Sequence, residues 1–148
     1  MTFAPILRGG YRSLQALEPD LAAARTAIQA ADHMVIIFPL WLGTLPAIFK
    51  GFLERVIQPD IFEPAKTGKF ATPWKGKSAR IVMTMGMPGF IYRWYFGAHA
   101  LKMLKRNILG FLGVGPIRST IHGSIEGVSG EKRAQWLADM EALGRAAG

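Results

Sequence analysis

The chain has 148 residues and a formal net charge of +8, half of its residues are hydrophobic, and it contains no cysteine. This length suits one domain with one core, so a single domain over residues 1–148 is expected, globular rather than disordered. The absence of cysteine excludes disulfides, thiolate metal sites and cysteine nucleophiles. The N-terminus lacks the apolar region of a signal peptide, and the longest uncharged run is too short and too broken to span a membrane, so a cytoplasmic protein is expected.

The charge is unevenly distributed along the chain. No acidic residue occurs between Glu63 and Glu126. A positive field of this kind attracts phosphates, an anionic membrane surface or an acidic partner, although a solvated basic surface that only aids solubility is an equal alternative. No nucleic-acid-binding motif accompanies the cations, so no nucleic acid partner is expected. The cations of this basic 66–118 segment are Lys66, Lys69, Lys75, Lys77, Arg80, Arg93, Lys102, Lys105, Arg106 and Arg118.

The first elements are a helix and a strand. A weak apolar stripe predicts a helix over residues 19–31, with Pro19 in its first turn. The run over residues 34–38 is apolar without alternation, which is typical of a strand covered on both faces in a parallel sheet. Pro39 ends the strand because proline has no N–H for the ladder.

The connection after this strand is unusually apolar. Leu40, Trp41 and Leu42 stand where an ordinary turn would be polar. Pro46 then fits the first turn of a helix whose core-facing stripe is Ile48, Phe49, Phe52, Leu53 and Val56, which leaves Lys50, Glu54 and Arg55 to face water. In open α/β sheets, ligands bind at the carboxyl ends of the strands, where this loop would lie. The residues alone equally allow a plain connection tucked into the core.

A long loop over residues 58–77 separates this helix from the second strand. Five prolines and glycines interrupt it, and it carries the aromatic residues Phe62, Phe70 and Trp74 with no obvious internal partner. Long loops in small domains are usually functional or disordered. These aromatic side chains are therefore expected either to rim a substrate pocket or to pack against a second subunit.

The remaining elements alternate in the same way. A second strand without alternation covers residues 79–84 and opens into a loop in which Gly86 and Gly89 would let a planar ligand approach the backbone closely. A helix is predicted over residues 98–109, a more alternating edge strand over residues 116–122, and a closing helix capped by Ser129. The inner stripe of the closing helix is predicted to be Leu137, Met140 and Leu143. The order indicates an α/β fold with a parallel sheet of three strands.

Two loops carry a family resemblance. The first strand, its loop and the following helix resemble the flavodoxin-like NAD(P)H:quinone oxidoreductases, of the NADPH-quinone reductase or modulator of drug activity B type. The second loop is similar to that family's T-x-G-x-x-G-x-x-Y pattern, although Met87 stands where the family often has glycine. The matching residues are Phe38-Pro39-Leu40, Pro46-Ala47, Lys50-Gly51-Phe52, Glu54 and Arg55-Val56 in the first segment, and Thr84, Gly86, Gly89 and Tyr92 in the second.

The resemblance implies a flavodoxin-like three-layer parallel sheet. The family has five strands in the order 2-1-3-4-5, and this chain aligns from just before the third of them, so a form N-terminally truncated to about three strands is expected. No Gly- or Ser/Thr-rich loop of the kind that holds the FMN phosphate at a helix N-terminus occurs in the sequence. A fragment, a late start, or a second chain that covers the open edge of the first strand would each account for this.

The resemblance also implies an activity: transfer of a hydride from NAD(P)H through FMN (or FAD) to a quinone-like acceptor, by a homodimer, with no metal. Tyr92 and His99 match a tyrosine and a histidine that assist hydride transfer, His99 only after a one-residue insertion; it can equally be an ordinary helix-start histidine. The alternative function is a non-catalytic flavodoxin-like ancillary protein without bound flavin, which the missing phosphate loop favours. The implied cofactor-binding residues are Pro39, Leu40, Trp41, Leu42, Gly43, Thr84, Gly86, Met87, Gly89 and Tyr92.

Overall fold

The computed structural model describes residues 14–62 and 72–146, which form alternating helices and strands. A 3-10 turn at Pro59–Ile61 follows α2, and α4 continues directly as a π-helical segment, Met103–Gly110. Within the described residues, no helix is both long enough and apolar enough to cross a membrane. The elements are α1 (Pro19–Ala30), β1 (His33–Pro39), α2 (Ala47–Val56), β2 (Ser78–Thr84), α3 (Gly89–Trp94), α4 (His99–Lys102), β3 (Ile117–His122) and α5 (Gly130–Arg145).

The strands form one parallel sheet in the order β1-β2-β3. His33 lies opposite Ser78 at the start of β1, and Pro39 lies opposite Thr84 at its end. Because the strands are parallel, the loops after β1, β2 and β3 emerge at the same edge of the sheet. The predicted α/β class with a parallel sheet is confirmed, and this edge carries the candidate site.

The central strand β2 holds the core together. Five consecutive residues of β2 are buried, which its unbroken apolar run predicts. The outer strand β1 behaves differently, because Val35 is 58% exposed and Ile37 is 69% exposed. The prediction that β1 is covered on both faces is therefore wrong for the described residues. Val35 and Ile37 instead face a cavity whose far wall includes Met140 of α5.

Two further expectations about side-chain burial are corrected. Trp74 is buried in the core, and its backbone N–H donates to the Leu112 carbonyl at 2.9 Å, so it is not an exposed loop aromatic. Phe62 packs against Phe111 with ring centroids 5.5 Å apart, whereas Phe70 lies outside the described residues. Since two of the three aromatic residues have internal partners, the loop offers less free apolar surface than the sequence suggests.

The inner stripe of α5 is shifted from the predicted one. Leu137 points into solvent, whereas Trp136 is half-buried and its ring centroid lies 4.5 Å from that of His122. Trp136, Met140 and Leu143 are therefore the residues that α5 turns toward the sheet. The larger ring of Trp136 takes the place of Leu137 because it covers the end of β3.

Arg55 also departs from its predicted place. It is 3% exposed, because the segment before α1 folds over the C-terminal end of α2. Its guanidinium donates to the Ala16 carbonyl at 2.8 Å, to Glu18 Oε2 at 2.6 Å and to Gln15 Oε1 at 3.2 Å. The hydrogen bond from Arg55 lowers the pKa of Glu18. The prediction that Arg55 faces water is wrong, since these acceptors replace its hydration.

Candidate functional site

The loop after β1 is a tight two-residue turn. Trp41 and Thr44 exchange backbone hydrogen bonds, with N···O distances of 3.1 and 3.0 Å. Both central residues have positive φ, 48° at Leu42 and 77° at Gly43. This is the pattern of the hairpin turns whose two central residues are usually Asn-Gly or Gly-Gly. The loop is therefore a rigid projection at the carboxyl end of β1.

Leu42 is the unusual residue of this turn. It is fully exposed, and its neighbour Trp41 is more than half exposed. A left-handed conformation costs a residue with a side chain about 1–2 kcal/mol, whereas it costs Gly43 very little. An exposed leucine in a strained conformation stabilises neither the core nor the turn. Strain of this kind is typical of ligand-binding segments, so the turn is a candidate contact for a ligand.

The loop after β2 lies beside this turn and is joined to it. The backbone N–H of Leu40 donates to the Thr84 carbonyl at 2.8 Å, just beyond the paired part of the two strands. Gly86 is exposed, and a Cβ added there would meet Glu126 Oε1 at 3.7 Å, an ordinary contact distance. The space over Gly86 is therefore bordered by the Glu126 carboxylate. Pro39, Thr84, Met87 and Gly89 of the two loops are half-buried.

Residues after β3 support the second loop, and the sequence analysis did not single them out. A Cβ added at Gly123 would lie 2.4 Å from the Gly89 nitrogen and 2.8 Å from the Met87 carbonyl oxygen, so only glycine fits. The N–H groups of Ser124 and Ile125 donate to the carbonyls of Met87 and Met85, at 3.0 and 3.2 Å. The sequence signal that could have identified this support is a glycine, Gly123, directly after a strand whose end lies at the same edge of the sheet.

Tyr92, predicted as catalytic and cofactor-binding, is buried. Its hydroxyl oxygen accepts a hydrogen bond from the backbone N–H of Leu101 at 3.2 Å, and burial raises the pKa of this phenol. Ala98, the residue before α4, offers no side-chain cap and has a φ of 51°. The Tyr92 hydroxyl therefore satisfies one of the N–H groups that a helix start leaves without a partner.

His99, the other predicted catalytic residue, is exposed at the first position of α4. Its ring lies close to the preceding turn, since a Cβ at Gly97 would be 3.0 Å from His99 Nε2. The structure thus brings Tyr92 and His99 to the same helix start, with the phenol inside and the imidazole outside. Their catalytic roles remain predictions. Across residues 14–62 and 72–146, no group of three or more histidine, aspartate and glutamate side chains is arranged to hold a metal ion.

His122 is a titratable residue at the end of β3. It is buried against Trp136, and Nε2 has no hydrogen-bond partner within the described part of the chain. Burial lowers the pKa of His122, while Asp139 on the adjacent α5 acts in the opposite direction. The folded protein therefore favours the neutral ring.

We expect the free energy of unfolding to fall with decreasing pH below the ordinary histidine pKa of 6.5. Below pH 6.5 the unfolded chain binds a proton at His122 more readily than the folded chain does. The free energy of unfolding therefore falls as the pH decreases from 6.5 toward the lower pKa of the folded state. His122→Phe, which keeps a ring against Trp136, should flatten the dependence in urea unfolding between pH 5 and 8. Equal slopes in His122→Phe and wild type would contradict this account.

The chain is similar to several known proteins. NAD(P)H dehydrogenase (quinone) 1 of Rattus norvegicus is 29% identical over 126 residues, which cover 82% of this chain and 46% of that protein. The chain thus spans about half the length of this relative. The crystal structure of Smu.1420 from Streptococcus mutans UA159 matches with a TM-score of 0.80 and 32% identity, over 97% of this chain and 77% of that one.

A third match shows the fold alone. The FMN-dependent NADH-azoreductase from Bacillus anthracis str. Ames Ancestor, in complex with FMN, gives a TM-score of 0.63 at 19% identity, over 90% of this chain and 68% of that one. A family model described as flavodoxin-like fold matches residues 2–144. These findings confirm the resemblance predicted from the two loops. With nearly its whole length matched and a parallel three-stranded sheet flanked by helices, the chain belongs to the flavodoxin-like fold family.

Proposed function

We propose that this chain is an FMN-dependent oxidoreductase that accepts a hydride from NAD(P)H and delivers two electrons to a quinone-like acceptor. The observation that carries the proposal is the exposed, strained turn at Trp41–Thr44, joined to the Thr84 loop at the carboxyl ends of β1 and β2. The name of one relative, an NAD(P)H dehydrogenase (quinone), supports the oxidoreductase activity.

The described residues fit the ring system of a flavin. Trp41 and Leu42 offer apolar surface to a planar group, and Gly86, which is exposed and has no side chain, allows backbone contact with its edge. When bound, the flavin supplies the hydride acceptance and electron transfer, and the protein supplies orientation and hydrogen bonds. His99 is exposed at the start of α4, where its imidazole is available to donate to an oxygen that gains negative charge.

The two loops of the candidate site, those after β1 and β2, offer no counterpart to the phosphate end of the cofactor. The loops after β1 and β2 are apolar or methionine-rich, and neither is the Gly- and Ser/Thr-rich turn that cradles a phosphate at a helix N-terminus. This observation favours the second candidate function, a non-catalytic ancillary protein that retains the fold without flavin. Purified protein separates the two, because only the first function predicts flavin binding and NAD(P)H-dependent menadione reduction.

Trp41→Ala is expected to weaken FMN binding about tenfold, because an aromatic contact contributes on the order of 1.5 kcal/mol. Trp41 is more than half exposed, so the midpoint of thermal unfolding should change little. Quenching of flavin fluorescence during titration with protein measures the affinity. Unchanged affinity together with a large loss of thermal stability would remove Trp41 from the site.

Leu42→Asn is a second test of the turn. It creates an Asn-Gly pair, which adopts two consecutive positive φ angles at lower cost than Leu-Gly. The variant should therefore be more stable than wild type, by about 1 kcal/mol, while losing the apolar side chain that would contact the flavin. Higher stability with weaker FMN binding would separate strain relief from ligand contact, whereas unchanged binding would show that Leu42 does not touch the cofactor.

We further propose that the protein is a homodimer. Val35 and Ile37 expose an apolar face on β1, and an apolar cavity of about 370 Å³ opens between α2 and the π-helical segment, with Leu53, Phe62 and Phe111 in its lining. Exposed apolar surface of this kind usually marks an interface. Light scattering across a dilution series should give twice the chain mass of 16.2 kDa.

Ile37→Lys tests whether the exposed face of β1 takes part in this assembly. The substitution should shift the dimer toward monomer without loss of fold, because the side chain is already exposed in one chain. Leu137→Lys, at an equally exposed leucine on α5, should leave the mass unchanged. A monodisperse wild-type monomer at tens of micromolar, with a cooperative melt, would rule the dimer out.

A further inference from the structure

An aromatic surface lies on α3 and the turn that follows it. Phe90 is 67% exposed, Trp94 87%, Tyr95 82% and Phe96 45%, so four of the seven residues from 90 to 96 present a ring to solvent. Tyr95 and Phe96 pack edge to face, with centroids 4.9 Å apart. The same short segment buries only the ring of Tyr92. An exposed cluster of this size has no role in the core, so it indicates a contact surface.

Exposed cations accompany the aromatic surface. Arg93 lies within it, and Lys102 and Arg106 follow on α4 and its π-helical continuation; all three residues are exposed. The acid-free sequence between Glu63 and Glu126 places no carboxylate in this segment. This segment therefore combines exposed apolar rings with positive charges and contains no negative charge.

We propose that this surface docks the protein peripherally on an anionic lipid membrane. Tryptophan and tyrosine favour the boundary between lipid and water because their rings are apolar and their N–H or O–H groups are polar. Phenylalanine side chains enter the acyl region, and arginine and lysine attract anionic headgroups. Trp94, Tyr95, Phe90 and the three cations Arg93, Lys102 and Arg106 supply both kinds of contact within seventeen consecutive residues.

Charge and shape favour a lipid surface over other occupants. A two-fold dimer through this surface would use the same patch twice and bring its cations against one another. A bound peptide needs a groove, but none of the four exposed aromatic residues lines the cavities around α2, β1 and α5. A projecting aromatic surface with flanking cations fits a fluid anionic interface. This docking stands apart from the proposed redox activity and needs no bound flavin.

The test is flotation of the full chain with vesicles. Binding to vesicles of mixed phosphatidylglycerol and phosphatidylcholine is expected, with little binding to phosphatidylcholine alone and weaker binding at high salt. Trp94→Ser with Tyr95→Ser, and separately Lys102→Glu with Arg106→Glu, should each reduce the partition coefficient about tenfold. The matched controls lie on α5: Leu137→Ser for apolar exposure, and Lys132→Glu with Arg145→Glu for net charge. Each control should bind like wild type.

A spectroscopic measurement keeps the test independent of variant folding. Brominated phosphatidylglycerol should quench part of the wild-type tryptophan fluorescence, and Trp94→Phe should lose that quenched component. The proposal is overturned if anionic vesicles fail to bind the chain, if the α5 controls lose binding as strongly as the surface variants, or if Trp94→Phe is quenched like wild type. Binding to polyglutamate without binding to vesicles would also overturn it and assign the surface to an acidic protein partner.

Discussion

Replacement of Arg55 by alanine is expected to lower the free energy of unfolding by about 3–5 kcal/mol. The guanidinium is buried at the end of α2 and donates to Ala16, Glu18 and Gln15, three residues that precede α1. Its loss leaves a cavity and removes the bonds that hold this segment against α2. Urea unfolding followed by far-UV circular dichroism measures the change.

Arg145→Ala is the matched control for this substitution. Arg145 also bonds to a glutamate, Glu141 at 2.5 Å, but that pair is exposed and four residues apart on α5. An exposed pair contributes less than about 0.5 kcal/mol, so the control should unfold almost as wild type does. If Arg55→Ala costs no more than Arg145→Ala, the buried network does not secure the segment before α1.

Tyr92→Phe and His99→Gln are each expected to slow the reduction of bound flavin by NAD(P)H about 10- to 100-fold, at or below the usual range for one general acid or base. This expectation rests on the proposed function. A phenol and an imidazole at one helix start would donate to oxygens that gain charge during reduction. Stopped-flow absorbance at full flavin occupancy measures the rate, so a weaker affinity does not enter the result.

Because Tyr92 is buried, its hydroxyl could have a structural role instead of a catalytic one. Tyr92→Phe also removes the acceptor of the Leu101 N–H, which should cost about 1 kcal/mol of stability even if the phenol has no catalytic role. Tyr95→Phe, at an exposed tyrosine three residues away, should leave both stability and rate unchanged. A wild-type rate in Tyr92→Phe, together with the loss of stability, would mean that the hydroxyl only caps α4.

The strands and their parallel arrangement followed from local sequence. The predicted strands at 34–38, 79–84 and 116–122 match β1, β2 and β3 to within one residue at each end. Unbroken apolar runs separated by helical patterns indicate this class of fold. The apolar run of a strand and the periodicity of a helix can each be recognised within a few consecutive residues, so neither depends on distant contacts. The two candidate ligand loops followed for the same reason, since they are the connections at the carboxyl ends of β1 and β2.

Which side chains are buried was decided by the tertiary structure. Arg55 reads as a solvent-facing position on an amphipathic helix, yet residues almost forty positions earlier cover it. Val35 reads as a core residue of β1, yet its face of the strand stays open. Gly123 is in the sequence only a glycine that follows a strand, yet the loop after β2 leaves no room there for a Cβ. Periodicity shows which face of an element is apolar, but only contacts between distant segments determine which faces are covered.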